Sequence, residues 1–397
     1  MAAASNSHDG AQTVAPLRIA LGGMLALATA LGIGRFVYTP ILPAMAASLH
    51  MTKSEAGLIA SANFVGYLVG AMVATAPRFG AARRFWLLTG LVANAFALLA
   101  MSFNLGITSF AIIRFIAGLA SGFVMVFGSA LVMERLAASG RSSLSSVYFM
   151  GPGSGITLSA ALVALLTVSG VAWTGLWLAN GLVASLAVFI VAWSLPPDEG
   201  GSAKIEAAGA SAPITRAIVI LTAAYGLVGF GYVITSTFIV ALVRETASIA
   251  RFEPFVWIIV GLSALPSAAF WAFWAKRYGA MRAFAIAAIA EALGVAASVV
   301  WPTIPGIVIA AILLGGTFVG LTALGLVAVR TMMPGDPRRG IGILTISFGV
   351  GQIVGPIFAG LLHDLTGSFT EASYVAAGGL VVSAILALLV ERRQETA

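Results

Sequence analysis

Arg35 lies in the stretch GIGRFVYTPILP, Gly32 to Pro43, inside an apolar run from Ile19 to Leu42 that holds no other charge. About 20 apolar residues span a bilayer core, so this run has the length of a transmembrane helix. A charged side chain at mid-membrane depth costs at least ~3 kcal/mol on insertion scales, and such residues face a bundle interior or a watery cavity where they handle a ligand or ion. Snorkelling or bracing a neighbouring helix is the plainer role, but a residue this far from either end snorkels poorly. On a helix, Tyr38 and Thr39 share the face of Arg35 with Leu31 and Gly32. Pro40 and Pro43 withhold backbone donors and predict a bend toward the outer end of the span.

Arg114 is the second cation within a predicted span. On a straight-helix rise, Arg35 falls ~7 Å beyond the middle of an outward-running span and Arg114 ~9 Å before the middle of an inward-running one, so both reach similar depth in the outer half. Like charges repel strongly in a low dielectric, and the interiors of the first six spans contain no acid, Glu55 standing at the start of the second, so a bound anion would supply the missing charge. The planar guanidinium fork suits a carboxylate or phosphate, and Tyr38 is placed to add a hydrogen bond. The competing role for Arg114 is a brace to backbone carbonyls. Glu291 is the sole acid away from the ends of a predicted span and the candidate proton carrier, with pairing to a neighbour as its plainer role. Asn63, Tyr67, Tyr148, Tyr225, Tyr232 and Gln352 are further candidates to line a cavity. Packing or interfacial anchoring suits each of them alone, and Tyr232 and Gln352 are singled out because they stand in or near repeated segments.

The scaffold that positions these residues follows from composition. Of 397 residues, 60% are hydrophobic and 9% charged, far from the quarter-charged soluble norm, so the chain is expected to be an integral membrane protein. Cysteine is absent, and His8, His50 and His363 show no metal-ligand spacing, so no metal or cofactor is expected. The opening residues lack the cationic start and short apolar core of a removable signal peptide, which leaves the first span as the insertion signal. Twelve apolar runs predict helices near 17–45, 54–76, 85–103, 107–133, 142–168, 173–195, 214–243, 254–275, 283–301, 305–330, 340–362 and 371–390. Thr52 to Glu55 has capping-box spacing, Glu253-Pro254 opens the eighth run and Asp336-Pro337 precedes the eleventh. The Pro, Gly, Ser and Ala content of 196–213 predicts a cytoplasmic linker. It separates an N-terminal bundle, 17–195, from a C-terminal one, 214–390, with cytoplasmic tails at 1–16 and 391–397.

Cytoplasmic loops carry the lysine and arginine excess, and with an internal N-terminus only Lys53, Arg244 and Arg251 fall outside. The same excess explains the net charge of +7, so no nucleic-acid partner is implied. The halves repeat each other. APRFGAAR at Ala76 to Arg83 answers AKRYGAMR at Ala275 to Arg282, Gly32 to Arg35 answers Gly229 to Tyr232, and Gly151-Pro152 answers Gly355-Pro356. These matches predict an all-α protein of two six-helix bundles related by a pseudo-two-fold axis along the membrane normal, with a site between them. Gly118, Gly122, Gly128 and the GPGSG stretch at 151–155 are expected to be helix-packing contacts, and GPGSG lacks the strand-to-helix context of a nucleotide loop.

The chain resembles the major facilitator superfamily over nearly its whole length. The loop signature G-x-x-x-D-R-x-G-R-R is answered by Arg78, Gly80, Arg83 and Arg84, with a degraded copy at Arg277, Tyr278 and Gly279. The resemblance implies cytoplasmic gate loops there, but Pro77 and Lys276 replace the latching aspartate. RFIAGLASG from Arg114 to Gly122 is similar to the superfamily's R-x-x-x-G pattern, whose arginine is linked to ion coupling. GIGRFVYTPILP together with GQIVGP, Gly351 to Pro356, resembles the YbfB/YjiJ-type branch. The resemblance implies a monomeric secondary transporter of the bacterial inner membrane working by alternating access. The substrate expected from the residues is a small organic anion, moved with protons or by exchange. A multidrug-type exporter would call for an acid in the cavity-lining helices rather than arginines. A polytopic membrane enzyme would need clustered acids or histidines at one face, and a non-transporting sensor would need an output domain; neither is visible.

Overall fold

The computed structural model describes residues 15–79, 82–197, 214–333 and 337–395. Most of the tail 1–16, most of the linker 196–213 and Gly80 lie outside the described residues. Among the described residues every regular element is a helix. In the first half these are α1 (Pro16–Leu27), α2 (Tyr38–Leu49), α3 (Lys53–Ala74), α4 (Arg83–Ala100), α5 (Ile107–Ala138), α6 (Ser145–Phe149), α7 (Gly151–Val168) and α8 (Trp173–Ser194). The second half holds α9 (Arg216–Glu245), α10 (Glu253–Ala264), α11 (Ser267–Tyr278), α12 (Ala280–Val300), α13 (Ile304–Met332), α14 (Arg338–Thr366) and α15 (Thr370–Glu395). Ten helices are long and apolar enough to cross a membrane, and counting the α10–α11 pair as one bent span gives eleven, against the twelve runs expected. The run expected at 85–103 is α4, which opens on Arg83-Arg84. The eighth run turns by 42° between α10 and α11, where Pro266 lacks a backbone donor. The last helix continues past the expected end at 390 to Glu395.

The first span departs most from a plain helix. A bend toward its outer end is expected from Pro40 and Pro43, but the helix breaks earlier, at Gly34 to Val37, after a π-helical stretch Ala28–Ile33. In an unbroken helix the Thr39 N–H would bond the Arg35 carbonyl; it bonds Phe36 O at 3.3 Å instead. Pro40 cannot bond Phe36 O at all, which favours this tightened turn. The break therefore sits at Arg35 itself, and Pro43 is accommodated within α2.

Glycines set how closely the helices approach. A Cβ at Gly32 would lie 2.4 Å from Gly155 Cα, and one at Gly155 would lie 2.2 Å from Ala28 O, so the π-helical stretch and α7 touch backbone to backbone. Gly118 meets Asn63 O at 2.0 Å in the same sense, joining α5 to α3. Between lipid-like surfaces such close packing is a main source of helix association. Two further interfaces join the halves, α3 with α14 and α7 with α10. A Cβ at Gly57 would lie 2.2 Å from Pro356 O, and one at Gly153 would lie 2.8 Å from Leu265 N. Both interfaces thus run through the repeated Gly-Pro segments. Gly155→Val should cost about 1–3 kcal/mol by overpacking, read as a lower apparent melting temperature in detergent, whereas Gly316→Ala, with nothing near its Cβ position, should leave it unchanged.

Candidate functional site

The break in the first span leaves carbonyls that need donors, and α5 supplies them. Arg114, 2% exposed, donates from Nη1 to Gly34 O and from Nη2 to Arg35 O, both at 2.7 Å. Its own carbonyl accepts from Asn63 Nδ2 at 2.9 Å, which ties α3 to the same point. The guanidinium lies 5.3 Å from the centre of the Tyr38 ring, whose hydroxyl donates to Ala56 O at 3.0 Å. Arg114 and Tyr38 thus have backbone partners already, the bracing arrangement rather than a free ligand fork.

Arg35 is placed differently. It is buried, and its Nε and Nη2 have no hydrogen-bond partner. Its guanidinium lies over Phe64 at 4.3 Å and Tyr67 at 4.7 Å, with Phe36 at 5.4 Å. Ring faces attract the cation but cannot accept its in-plane N–H groups as a carboxylate does. The helical spacing of Arg35, Tyr38 and Thr39 does bring the three to one small cavity, although the helix between them is broken. Arg114, Phe64, Ser236 and Thr237 also line it, and at about 10 Å³ it has room for about one water molecule.

The second half closes the far side. Thr39 donates to Ser236 O at 2.8 Å. Phe36 meets Phe318 at 5.8 Å and Trp257 at 6.3 Å, and Phe318 stacks on Tyr232 at 5.7 Å. Tyr232 stacks in turn on Phe348 at 5.6 Å, and its hydroxyl accepts a hydrogen bond from Gln352 Nε2. Tyr232 and Gln352 therefore sit together at this aromatic row and are not among the residues that line the Arg35 cavity. Glu291 stands apart on α12, which packs between α13 and α15. It is fully buried, neither carboxylate oxygen has a hydrogen-bond partner, and the nearby Thr317 hydroxyl donates to Leu313 O at 2.6 Å. Among the described residues no group of three or more histidine or acidic side chains comes together to hold a metal.

The repeated loops are organised within their own halves. Arg78 lies in a short turn against Phe79, and Arg83 pairs with Glu134. Arg277 lies over Tyr278, and Arg282 pairs with Glu391 at 2.7 Å. Gly279 turns into α12 with φ 88°, a conformation that favours glycine.

A latch absent from the sequence-based expectations joins the halves at the opposite end. The expected capping box forms, with Thr52 Oγ1 accepting from Glu55 N at 3.1 Å and Glu55 accepting from Thr52 N at 2.9 Å. Asp364 of α14 completes that helix start from the other half, accepting from Lys53 N at 3.0 Å, Ser54 N at 2.9 Å and the Ser54 hydroxyl. Lys53 pairs with Glu245, which also lies 3.3 Å from His363 Nε2. These latch partners all lie more than 100 residues apart in the chain, and Asp364 lies 310 from Ser54, so local spacing gives no signal of them.

This helical architecture, with a buried cationic site at the junction of two halves, defines a polytopic membrane transporter of the major facilitator type. The chain belongs to the superfamily's family described as "Uncharacterised MFS-type transporter YbfB", matched over residues 27–388. In overall shape it is similar to the nucleoside transporter NupG, at TM-score 0.70 and 15% identity over 96% of this chain and 99% of that one. A NupG variant gives TM-score 0.76 at 16% identity over 94% and 99%. Among curated proteins it is similar to the 4-hydroxybenzoate transporter PcaK of Acinetobacter baylyi, 28% identical over 39% of this chain and 34% of the relative. It is also similar to a putative tartrate transporter of Agrobacterium vitis, 45% identical over 16% of this chain and 15% of the relative.

The latch yields a direct test in this cysteine-free chain. A single cysteine replacing Thr237, which lines the cavity, should react with a polar maleimide roughly tenfold faster when Asp364→Ala removes the charge-assisted bonds. Equal labelling rates with and without Asp364 would show that the contact does not hold the halves shut.

Proposed function

We propose that this chain is a secondary transporter that moves a small organic anion by alternating access, with the halves 17–195 and 214–390 rocking about Arg35. The supporting observation is a buried guanidinium with two unpartnered N–H positions. Such a group lacks the compensation that buried charges require, and a carboxylate bound in the substrate-loaded state would supply it. The organic-acid transporters among the similar proteins support the substrate class, and the charge distribution supports two cytoplasmic termini in a bacterial inner membrane with the Lys53–Asp364 latch facing outward. On this reading Arg35 is the contact residue, and Arg114 is a positioning residue that fixes the backbone on either side of it. Glu291 is the candidate coupling site, because an ionisable residue buried within a membrane span marks a proton or ion path.

Purified protein in vesicles separates these roles. Arg35→Lys should fold normally and bind anions roughly tenfold more weakly, since a lysine keeps the charge but loses the fork. Arg114→Ala should instead lower the apparent melting temperature, because each stranded carbonyl costs about 1–3 kcal/mol. Undiminished anion uptake by Arg35→Lys and Arg35→Gln, or equal handling of cationic solutes by the wild type, would overturn the anion assignment. For Glu291→Gln, uptake driven by a pH gradient should disappear while exchange of anion for anion persists. Gradient-driven uptake that survives the substitution removes Glu291 from the coupling step.

A further inference from the structure

We infer that the anion is a planar aromatic monocarboxylate, of the size and chemistry of benzoate, rather than an aliphatic acid or a dicarboxylate. The inference rests on the anion-transport reading and narrows it by two counts, one of charges and one of rings.

Within the described membrane-spanning helices, Arg35 and Arg114 are the cations at the site, and they are not equivalent. Both terminal nitrogens of Arg114 are engaged by the carbonyls of Gly34 and Arg35. Arg35 retains a free edge at Nε and Nη2, which is the pair of parallel donors a single carboxylate takes bidentately. One free fork serves one carboxylate. A second carboxylate, or the second charge of a phosphate ester, would be buried at the junction without a cation to compensate it.

The surroundings of that fork are aromatic. Phe64 and Tyr67 cover the guanidinium faces, which leaves its edge as the approach for an anion. Phe36 begins a row that continues through Phe318 to Tyr232 and crosses from one half to the other. A flat ring attached to the bound carboxylate would enter this row when the halves part, offering a face or edge to Phe36 and Phe318. Each well-placed ring pair favours an arene over a saturated ring of the same size by roughly threefold to tenfold. Because Phe36 and Phe318 belong to different halves, the same ring would contact both sides of the junction, which links occupancy to closure. A short aliphatic acid would satisfy the fork and leave the row without a partner.

The test uses the wild-type chain in detergent, with binding read by thermal shift and calorimetry for benzoate, cyclohexanecarboxylate, terephthalate, succinate and benzamide. Benzoate should bind at least about tenfold more tightly than cyclohexanecarboxylate and about a hundredfold more tightly than terephthalate or succinate. Benzamide, isosteric but uncharged, should not bind. Phe36→Leu and Phe318→Leu should each narrow the benzoate-to-cyclohexanecarboxylate ratio. Tighter binding of succinate than of benzoate would overturn the aromatic class and leave an anion site intact. Equal binding of benzoate and cyclohexanecarboxylate would do the same. Benzamide binding as well as benzoate would overturn the anion site along with it, and so would the absence of binding by every carboxylate at millimolar concentration. The wild-type ligand series decides the matter even where a ring substitution destabilises the fold.

Discussion

The structure around the site depends on one interaction, the pair of hydrogen bonds from Arg114 to the carbonyls of Gly34 and Arg35. A helix broken in the middle of a membrane has nowhere to turn for donors, because lipid offers none and water is excluded. Arg114 supplies both from the neighbouring α5, and Asn63 fixes the Arg114 backbone from α3. Three helices therefore agree on where the break lies. Beside that break the Arg35 side chain lies among the rings of Phe64 and Tyr67. One arginine has both terminal nitrogens bonded to backbone, while the other keeps Nε and Nη2 without a partner.

The glycines make this geometry reachable. Gly32 lies against Gly155 and Gly118 against Asn63 with no side chain between the backbones, which holds the first span to α7 and α5 to α3 at backbone contact. The same device recurs where the halves meet, at Gly57 beside Pro356 and at Gly153 beside Leu265. Interfaces built from small residues bury little side-chain structure that must be unlocked, so sliding or rocking of one half on the other disturbs few rotamers. Close packing and mobility are compatible here because the contacts are backbone surfaces.

Much of this was legible in the sequence. The repeated Gly-Pro and APRFGAAR segments fall at corresponding places in the two halves, and the depth estimate brought Arg35 and Arg114 to the same level because helical rise is uniform. The capping box at Thr52 and Glu55 followed from spacing alone. The roles of the arginines were not legible, since nothing local tells whether a guanidinium finds a carbonyl or remains free. The helix break escaped for a related reason: Pro40 and Pro43 announce a disturbance, but whether it falls before or after them depends on which carbonyls a neighbouring helix can satisfy. Asp364 was invisible because its partners are backbone N–H groups at the start of α3, which carry no residue signature.

The latch and the cavity are two sides of one equilibrium. With Asp364 capping α3 and Thr39 bonded to Ser236, the junction has room for about one water molecule, so a substrate can enter only by separating groups that now satisfy each other. Each of these contacts is weak in net terms, because exposed Asp364 and Glu245 and half-buried Lys53 would otherwise be hydrated and the separated state would recover water for them. A closure held by interactions of this kind is shallow. An anion whose charge is compensated only at Arg35 then shifts the balance by its differential affinity for the states, which is largest when its fork partner is buried and its remaining surface meets both halves. On the proposed reading, the unpartnered edge of Arg35 is the part of this closed junction left without compensation, and an anion bound there would supply it.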